Sequence, residues 1–194
     1  ASGGAVLLAT LPPTPGAAAS LTDVGNCGTG GSTGCFTATY LNYLVVLTNL
    51  VATTPSTGVG CQIAIWNGSY QVSGYITSST QTANGGTLFV PGTPTTYIPC
   101  SQVGASSGAN SGGAPGISGQ FTFYNPSASA KPQVDGRYTL TGGSTGSPTV
   151  YWGLTSGMYN TTGAITGFRV CYGTVGGTCA STIASGSVKV YGLP

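Results

Sequence analysis

The sequence has very little charge. Only 3% of its 194 residues are charged and none is His, whereas about one quarter of the residues in an average soluble protein are charged. Glu is absent, and the ionisable acids and bases are Asp23, Asp135, Lys131, Arg137, Arg169 and Lys189, which give a net charge of +2. General acid–base and nucleophilic catalysis normally use His or a positioned carboxylate. We therefore expect a protein that is not an enzyme and that carries no cofactor.

The same shortage of charge excludes several partners. Nucleic-acid binding depends on a cluster of Lys and Arg that neutralises phosphates, and four cations cannot form one. The longest apolar run, Tyr40–Ala52, is interrupted by Asn42, Thr48 and Asn49, so it is too short and too polar to cross a bilayer. With 40% hydrophobic residues the chain can nevertheless bury a core, and disorder is not expected.

The two carboxylates have local sequence contexts that are typical of turns. Asp23 lies in LTDVGN and Asp135 in QVDGRY, and Asp commonly bends or caps the backbone in such places. We expect this structural role rather than the paired carboxylates of a glycosidase. Asp135 and Arg137 are then predicted to form a local surface ion pair across a turn, of little energy.

Glycine and short β-prone runs dominate the remainder. The chain has 34 Gly and 12 Pro, and runs of Thr, Val, Tyr, Ile and Phe alternate with turn residues. This pattern predicts an all-β fold, an antiparallel β-sandwich that resembles a jelly roll. We expect one domain over residues 1–194, with an N-terminal segment of about residues 1–20 that packs on a neighbouring subunit.

Individual segments predict strands and their buried faces. The best core candidate is Phe36–Val51, because both of its faces are apolar: Tyr43, Val45 and Leu47 on one side, Leu44 and Val46 on the other. Such a strand is either covered on both sides or exposes one face to another subunit. Asn84–Gly86 predicts a hairpin turn. VYWGL, GFRVCYG and SVKVYGL alternate with period two, which predicts apolar residues inward and polar residues outward.

The six cysteines suggest disulfides. Cys27 and Cys35 enclose a Gly-rich loop of the same length as the loop between Cys171 and Cys179, which favours these two pairs. Cys61 would then pair with Cys100, a longer link between strands across the sandwich, although six cysteines allow 15 connectivities. The alternatives are free buried thiols and a zinc site, which the absence of His and of CxxC pairs disfavours.

Two tryptophans are candidates for ligand binding. Trp66 and Trp152, together with exposed Tyr, could stack on sugar rings. The more common role of such residues is to fill a core or a subunit interface.

Several segments, taken in order, resemble a family of β-sandwich virion proteins from tailed bacteriophages. The most specific is the closing pattern Ile165-Thr-Gly-Phe-Arg169, Ile183-Ala-Ser-Gly186 and Val190-Tyr-Gly-Leu193. Leu47-Thr-Asn-Leu50 and Tyr124-Asn-Pro126 add to it. The resemblance spans nearly the whole chain and supplies no catalytic residues.

The resemblance implies a structural protein on the outer surface of a virus particle. We expect a capsid decoration protein that binds the major capsid protein or other virion proteins and forms a homo-oligomer, with a trimer as one candidate. The alternatives are a tail-fibre or adhesion protein that binds a host-surface glycan through Trp66 or Trp152, and an extracellular filament subunit whose N-terminal segment adds a strand to its neighbour.

Overall fold

The computed structural model describes residues 4–11, 20–21, 35–52, 59–67, 69–83, 86–90, 96–101, 116–144, 147–174 and 183–194. These residues form twelve β-strands and no helix. The strands are β1 (Val6–Leu11), β2 (Ser20–Leu21), β3 (Asn42–Ala52), β4 (Val59–Trp66), β5 (Tyr75–Ala83), β6 (Gly86–Val90), β7 (Ile98–Pro99), β8 (Ile117–Tyr124), β9 (Gln133–Ser144), β10 (Ser147–Tyr159), β11 (Gly167–Thr174) and β12 (Ile183–Leu193).

The strands form two antiparallel sheets. The larger has eight strands in the order β1-β12-β3-β8-β9-β10-β5-β6, and the smaller has four in the order β2-β11-β4-β7. Three consecutive strands, β3, β4 and β5, pair with β12, β11 and β10, so a paired ribbon passes from one sheet to the other and back. This wrapped ribbon is the arrangement of a jelly roll. The predicted all-β antiparallel sandwich is therefore confirmed.

Aromatic residues join the two sheets at the centre of the core. Phe123 of β8 lies 5.0 Å from Phe168 of β11, measured between ring centroids, and Phe36 lies 4.9 Å from Phe123 and 4.7 Å from Tyr43 of β3. All four rings are buried. Of the two apolar faces of β3, the one with Tyr43, Val45 and Leu47 is buried, whereas Leu44 and Val46 on the other face are only half-buried.

Residues that carry the phage resemblance shape the backbone of the larger sheet. Asn49 and Asn125 have positive φ values of 50° and 47°. Asn49 interrupts the regular pairing of β3, its Oδ1 accepts a hydrogen bond of 2.6 Å from the Gly116 amide, and Gly186 packs directly against its backbone. Gly186 itself has φ 110°, which favours glycine. Asn49, Asn125 and Gly186 thus define backbone geometry in the larger sheet.

The N-terminal strand pairs within its own chain. Residues of β1 pair with β12 from Val6↔Gly192 to Leu11↔Val188. Packing of the N-terminal segment on a neighbouring subunit stays a prediction, and so does its donation to a filament.

Three local predictions are wrong. Asp135 lies in the middle of β9, not in a turn, because QVDGRYTL pairs along its length with β8 and β10. Cys61 and Cys100 are bonded, as predicted, but they do not cross the sandwich: β4 carries Cys61, and Cys100 directly follows β7, its neighbour in the same sheet. The third wrong prediction is that the apolar residues of VYWGL in β10 face inward: Val150, Trp152 and Leu154 face outward.

Candidate interaction surface

Strand β10 exposes the apolar set of its alternating side chains. Val150, Trp152 and Leu154 are 59%, 51% and 51% exposed, while the intervening Tyr151, Gly153 and Thr155 are buried. Glycine is required inward at position 153, since a Cβ there would overlap the ring of Tyr138 and the carbonyl oxygen of Thr80. The three outward side chains form an apolar ridge, which we call the β10 ridge.

A groove runs beside the β10 ridge on the outer face of the eight-stranded sheet. It has a volume of about 510 Å³, and its outward lining includes Val46, Gln120, Arg137, Thr139 and Trp152. Arg137 forms no ion pair with any residue in the described ranges. A concave, largely apolar surface with a few polar groups is typical of binding sites.

A second, smaller hollow continues the outer face along the same strands. Its volume is about 280 Å³, and it is lined in part by Ile76, Asp135, Ser156 and Met158. Ser156 Oγ donates a hydrogen bond of 2.5 Å to Asp135 Oδ1. Ile76 is 45% exposed, so apolar surface is available here too.

The strand register arranges the outer face into two adjacent rows of side chains. Pairing between neighbouring strands aligns the first row as Lys189, Val46, Gln120, Arg137 and Leu154. The second row, two residues along each strand, is Tyr191, Leu44, Thr122, Asp135 and Ser156. Three of the six charged residues of the chain, Asp135, Arg137 and Lys189, therefore lie on one face.

The two tryptophans do not share a surface. Trp152 lies on the outer face of the eight-stranded sheet, whereas Trp66 ends β4 in the other sheet. Trp66 is half-buried and its ring meets that of Tyr70 edge-on at 4.7 Å, while Arg169 lies 4.0 Å above the Tyr70 ring. Trp66 is thus engaged in a local cluster, and only Trp152 lines the groove.

The cysteines act structurally where they are described. The Cys61–Cys100 disulfide, predicted from the sequence, is present. Cys35 and Cys171 are also disulfide-bonded, but Cys27 and Cys179 lie outside the described residues, so the pairs Cys27–Cys35 and Cys171–Cys179 stay predictions. Asp23 lies outside them as well. Within the described ranges, no cluster of three or more His, Cys, Asp or Glu could hold a metal ion.

Buried tyrosine hydroxyls tie the sheets together on either side of the core. Tyr172 of β11 donates a 2.6 Å hydrogen bond to the carbonyl oxygen of Leu50 in β3. Tyr75 of β5 accepts one from the Ile65 amide of β4 and donates to the Gln71 carbonyl. Burial raises the pKa of both phenols above the ordinary value of 10, so both hydroxyls stay protonated at neutral pH.

No helix capable of spanning a membrane occurs in the part of the chain that the structure describes. Comparison of the chain with models of known protein families, with curated proteins and with solved structures finds no match. The resemblance to phage virion proteins therefore stays a prediction from the sequence, and the described surface must be judged on its own chemistry.

Proposed function

We propose that this protein is a structural virion protein, a decoration protein bound to the outer surface of a bacteriophage capsid. The observation that carries the proposal is the β10 ridge. Val150, Trp152 and Leu154 present a contiguous apolar surface to solvent in a chain with a net charge of only +2. Contiguous exposed apolar surface marks sites of association, and a low net charge permits close approach of other proteins.

The resemblance supports a virion location. The segments that carry it include Leu47–Leu50, Tyr124–Pro126 and Ile183–Gly186, and these contribute to the bulged β3–β12 pairing and to the turn after β8. A compact sandwich with an apolar outer face suits a protein that assembles with other subunits, as a decoration protein does.

Localisation on particles tests the proposal. Antibodies raised against the purified chain should label the capsid shell of intact phage particles in immunogold electron microscopy. Mass spectrometry of those particles should also find the chain at a fixed stoichiometry to the major capsid protein. Label at the tail tip, or absence of the chain from purified particles, would contradict capsid decoration.

A second candidate function is adhesion to a host-surface glycan. The observation that favours it is the position of Trp152 in a groove of about 510 Å³ beside Gln120, Arg137 and Thr139. An exposed indole can cover the apolar face of a sugar ring, and the polar groups can bind hydroxyls or a carboxylate.

A glycan array separates this candidate from decoration. If the chain is an adhesin, the intact protein should bind a defined set of saccharides, and Trp152→Ala should abolish the signal while Trp66→Ala preserves it. An array without binding for a correctly folded protein would exclude this candidate and leave decoration unaffected.

A further inference from the structure

We infer that the outer face of the eight-stranded sheet pairs with the same face of a second copy, about a two-fold axis that runs between the two rows of side chains. The inference does not depend on a virion location, because it concerns only the surface of the purified chain. The axis would lie in the interface plane, perpendicular to the strands, and cross β9 at Gly136 and β10 at Thr155. An axis in this position exchanges the two rows.

The exchanged rows complement each other in charge. Arg137 of one copy faces Asp135 of the other, and the reciprocal pair forms on the opposite side of the axis. Both side chains are exposed in the single chain, and Arg137 forms no ion pair within the described ranges. A surface that carries opposite charges at symmetric positions is self-complementary, as an isologous two-fold interface requires.

Two further positions of the rows also match, whereas Leu154 faces Ser156 of the second copy. Val46 faces Leu44 of the second copy, and both are half-buried in the single chain. Lys189 faces Tyr191, a combination suited to a cation–π contact. Apart from the two carboxylate–guanidinium pairs, no charge of one copy meets a charge of the other across these rows.

The β10 ridge finds a complementary hollow under the same symmetry. Position 152 is as far from the axis at Thr155 as position 158, so Trp152 of one copy lies over Met158 of the other. Met158 lines the 280 Å³ hollow together with Ile76, Asp135 and Ser156, so the indole meets two apolar side chains in a hollow of mixed polarity. Large aromatic residues that fill a pocket of the partner commonly dominate the energy of an interface.

The available area is sufficient for a specific dimer. The patch is six strands wide, from β12 to β5 through β3, β8, β9 and β10, and extends along β10 over the seven residues from Trp152 to Met158, whose ends lie equally far from the axis. With strands about 4.8 Å apart and ~3.4 Å per residue, it covers about 700 Å² per copy. Specific interfaces bury about 800 Å² per partner, so this face approaches the standard size.

Sedimentation velocity of the disulfide-intact protein over a range of concentrations tests the inference. The wild type should form a reversible dimer, and the fluorescence of Trp152 should shift to the blue as the dimer forms. Trp152→Glu should raise the dissociation constant at least about 30-fold, the effect of a hot-spot residue. The matched control is Val72→Glu. Val72 is 52% exposed and lies between β4 and β5, away from the proposed interface, so this variant should leave the dimer intact.

Charge exchange identifies the partner as a second copy with this symmetry. Asp135→Arg and Arg137→Asp should each weaken the dimer about 10-fold, because each places like charges opposite one another across the axis. The double variant Asp135→Arg/Arg137→Asp inverts the pattern but keeps it self-complementary, and should return the dissociation constant to within about 3-fold of the wild type.

Three results would overturn the inference: a monomer at every concentration, a dimer that Trp152→Glu leaves unchanged, or a double variant as weak as the single variants. Circular dichroism and thermal unfolding of each variant verify that it is folded. Failure of capsid labelling leaves this test intact, because sedimentation uses the purified chain alone.

Discussion

Strands β8 and β10 belong to the same sheet but divide their residues between the two faces in opposite ways. In β8, Ile117, Phe121 and Phe123 point inward and are fully buried, while Gln120 is exposed. In β10 the side chains of Val150, Trp152 and Leu154 point outward, and the inward positions between the buried Tyr151 and Tyr159 hold only Gly153, Thr155 and Gly157. A strand with ordinary alternation buries its apolar side chains in the core of its own chain. A strand with inverted alternation exposes apolar side chains, which another protein molecule can cover.

The interior explains why β10 is inverted. The side chains that fill the space beneath it come from neighbouring strands: Tyr138 of β9 covers Gly153, and Ile98 of β7 packs near Gly157. Buried polar groups are also concentrated there, since Tyr138 donates a 3.1 Å hydrogen bond to Gln81 Oε1 and Thr77 and Ser79 of β5 are buried. The space beneath the middle of β10, between the buried Tyr151 and Tyr159, therefore admits only small inward residues, and the large apolar residues of this stretch lie outside.

The largest expected effect is on the aromatic core beneath β8. Phe123→Ala should lower the free energy of unfolding by about 3–5 kcal/mol, because it removes a fully buried ring that contacts Phe36 and Phe168. Urea unfolding with the disulfides intact measures the loss. Gln120→Ala, an exposed position of the same strand, is the control and should change stability by less than about 0.5 kcal/mol. Similar losses for both variants would contradict the assigned faces.

The inverted strand should respond to an added methyl group on its inward side. Gly153→Ala should destabilise the fold by about 1–3 kcal/mol, since the new Cβ would overlap the Tyr138 ring and the Thr80 carbonyl. Thermal unfolding monitored by circular dichroism provides the measurement. Gly4→Ala introduces the same methyl group where no atom lies within 4 Å, and its stability should match the wild type. A neutral Gly153→Ala would mean that β10 packs less tightly than described.

A third prediction concerns Tyr172 and Tyr75, whose hydroxyl groups link the two sheets. Tyr172→Phe should cost about 1–2 kcal/mol, because it leaves the buried Leu50 carbonyl without its hydrogen-bond donor. The raised pKa values of Tyr172 and Tyr75 also set a pH dependence. Their contribution is fully present below the ordinary phenol pKa of about 10 and is lost as the pH rises above it, because only the unfolded chain then ionises readily.

Chemical unfolding between about pH 8 and 11 measures this slope. The wild type should lose stability above about pH 10, and Tyr172→Phe should show a shallower decline because one of the phenols with a raised pKa is removed. Equal slopes for the two proteins would contradict the assigned role of Tyr172.

The sequence predicted the parts of the fold that depend on local pattern. Alternation in β11 and β12 identified buried Val170 and Val190, and β5 and β6, the strands on either side of the predicted Asn84–Gly86 turn, are paired. It did not predict β9, where Asp135 and Gly136 suggested a turn, because the ladder with two neighbouring strands overrides the local preference of those residues. Register over such distances is not encoded in any single segment.

The sequence predicted only part of the candidate surface. Trp152 was a candidate, but the apolar set of β10 was expected to face inward, as it does in most half-buried strands. The signal that could have identified the inversion is the spacing of Gly153 and Gly157 on the opposite face, which indicates close packing from neighbouring elements. The groove brings Trp152 together with Arg137, Gln120 and Val46. The order of the strands in the sheet determines this arrangement, and no local sequence pattern reveals it.

The smallest expected effect is on the outer face of β10 in the isolated chain. Val150→Thr and Leu154→Thr each replace a side chain that is more than half exposed, so the stability of a dilute monomer should change by less than about 0.5 kcal/mol. Thr is β-branched and suits a strand, yet it removes apolar surface from the β10 ridge. The same variants should therefore weaken self-association in sedimentation experiments while urea unfolding at low concentration is unchanged. A loss of monomer stability comparable to that of Phe123→Ala would mean that these residues belong to the core, and the contrast between β8 and β10 would fail.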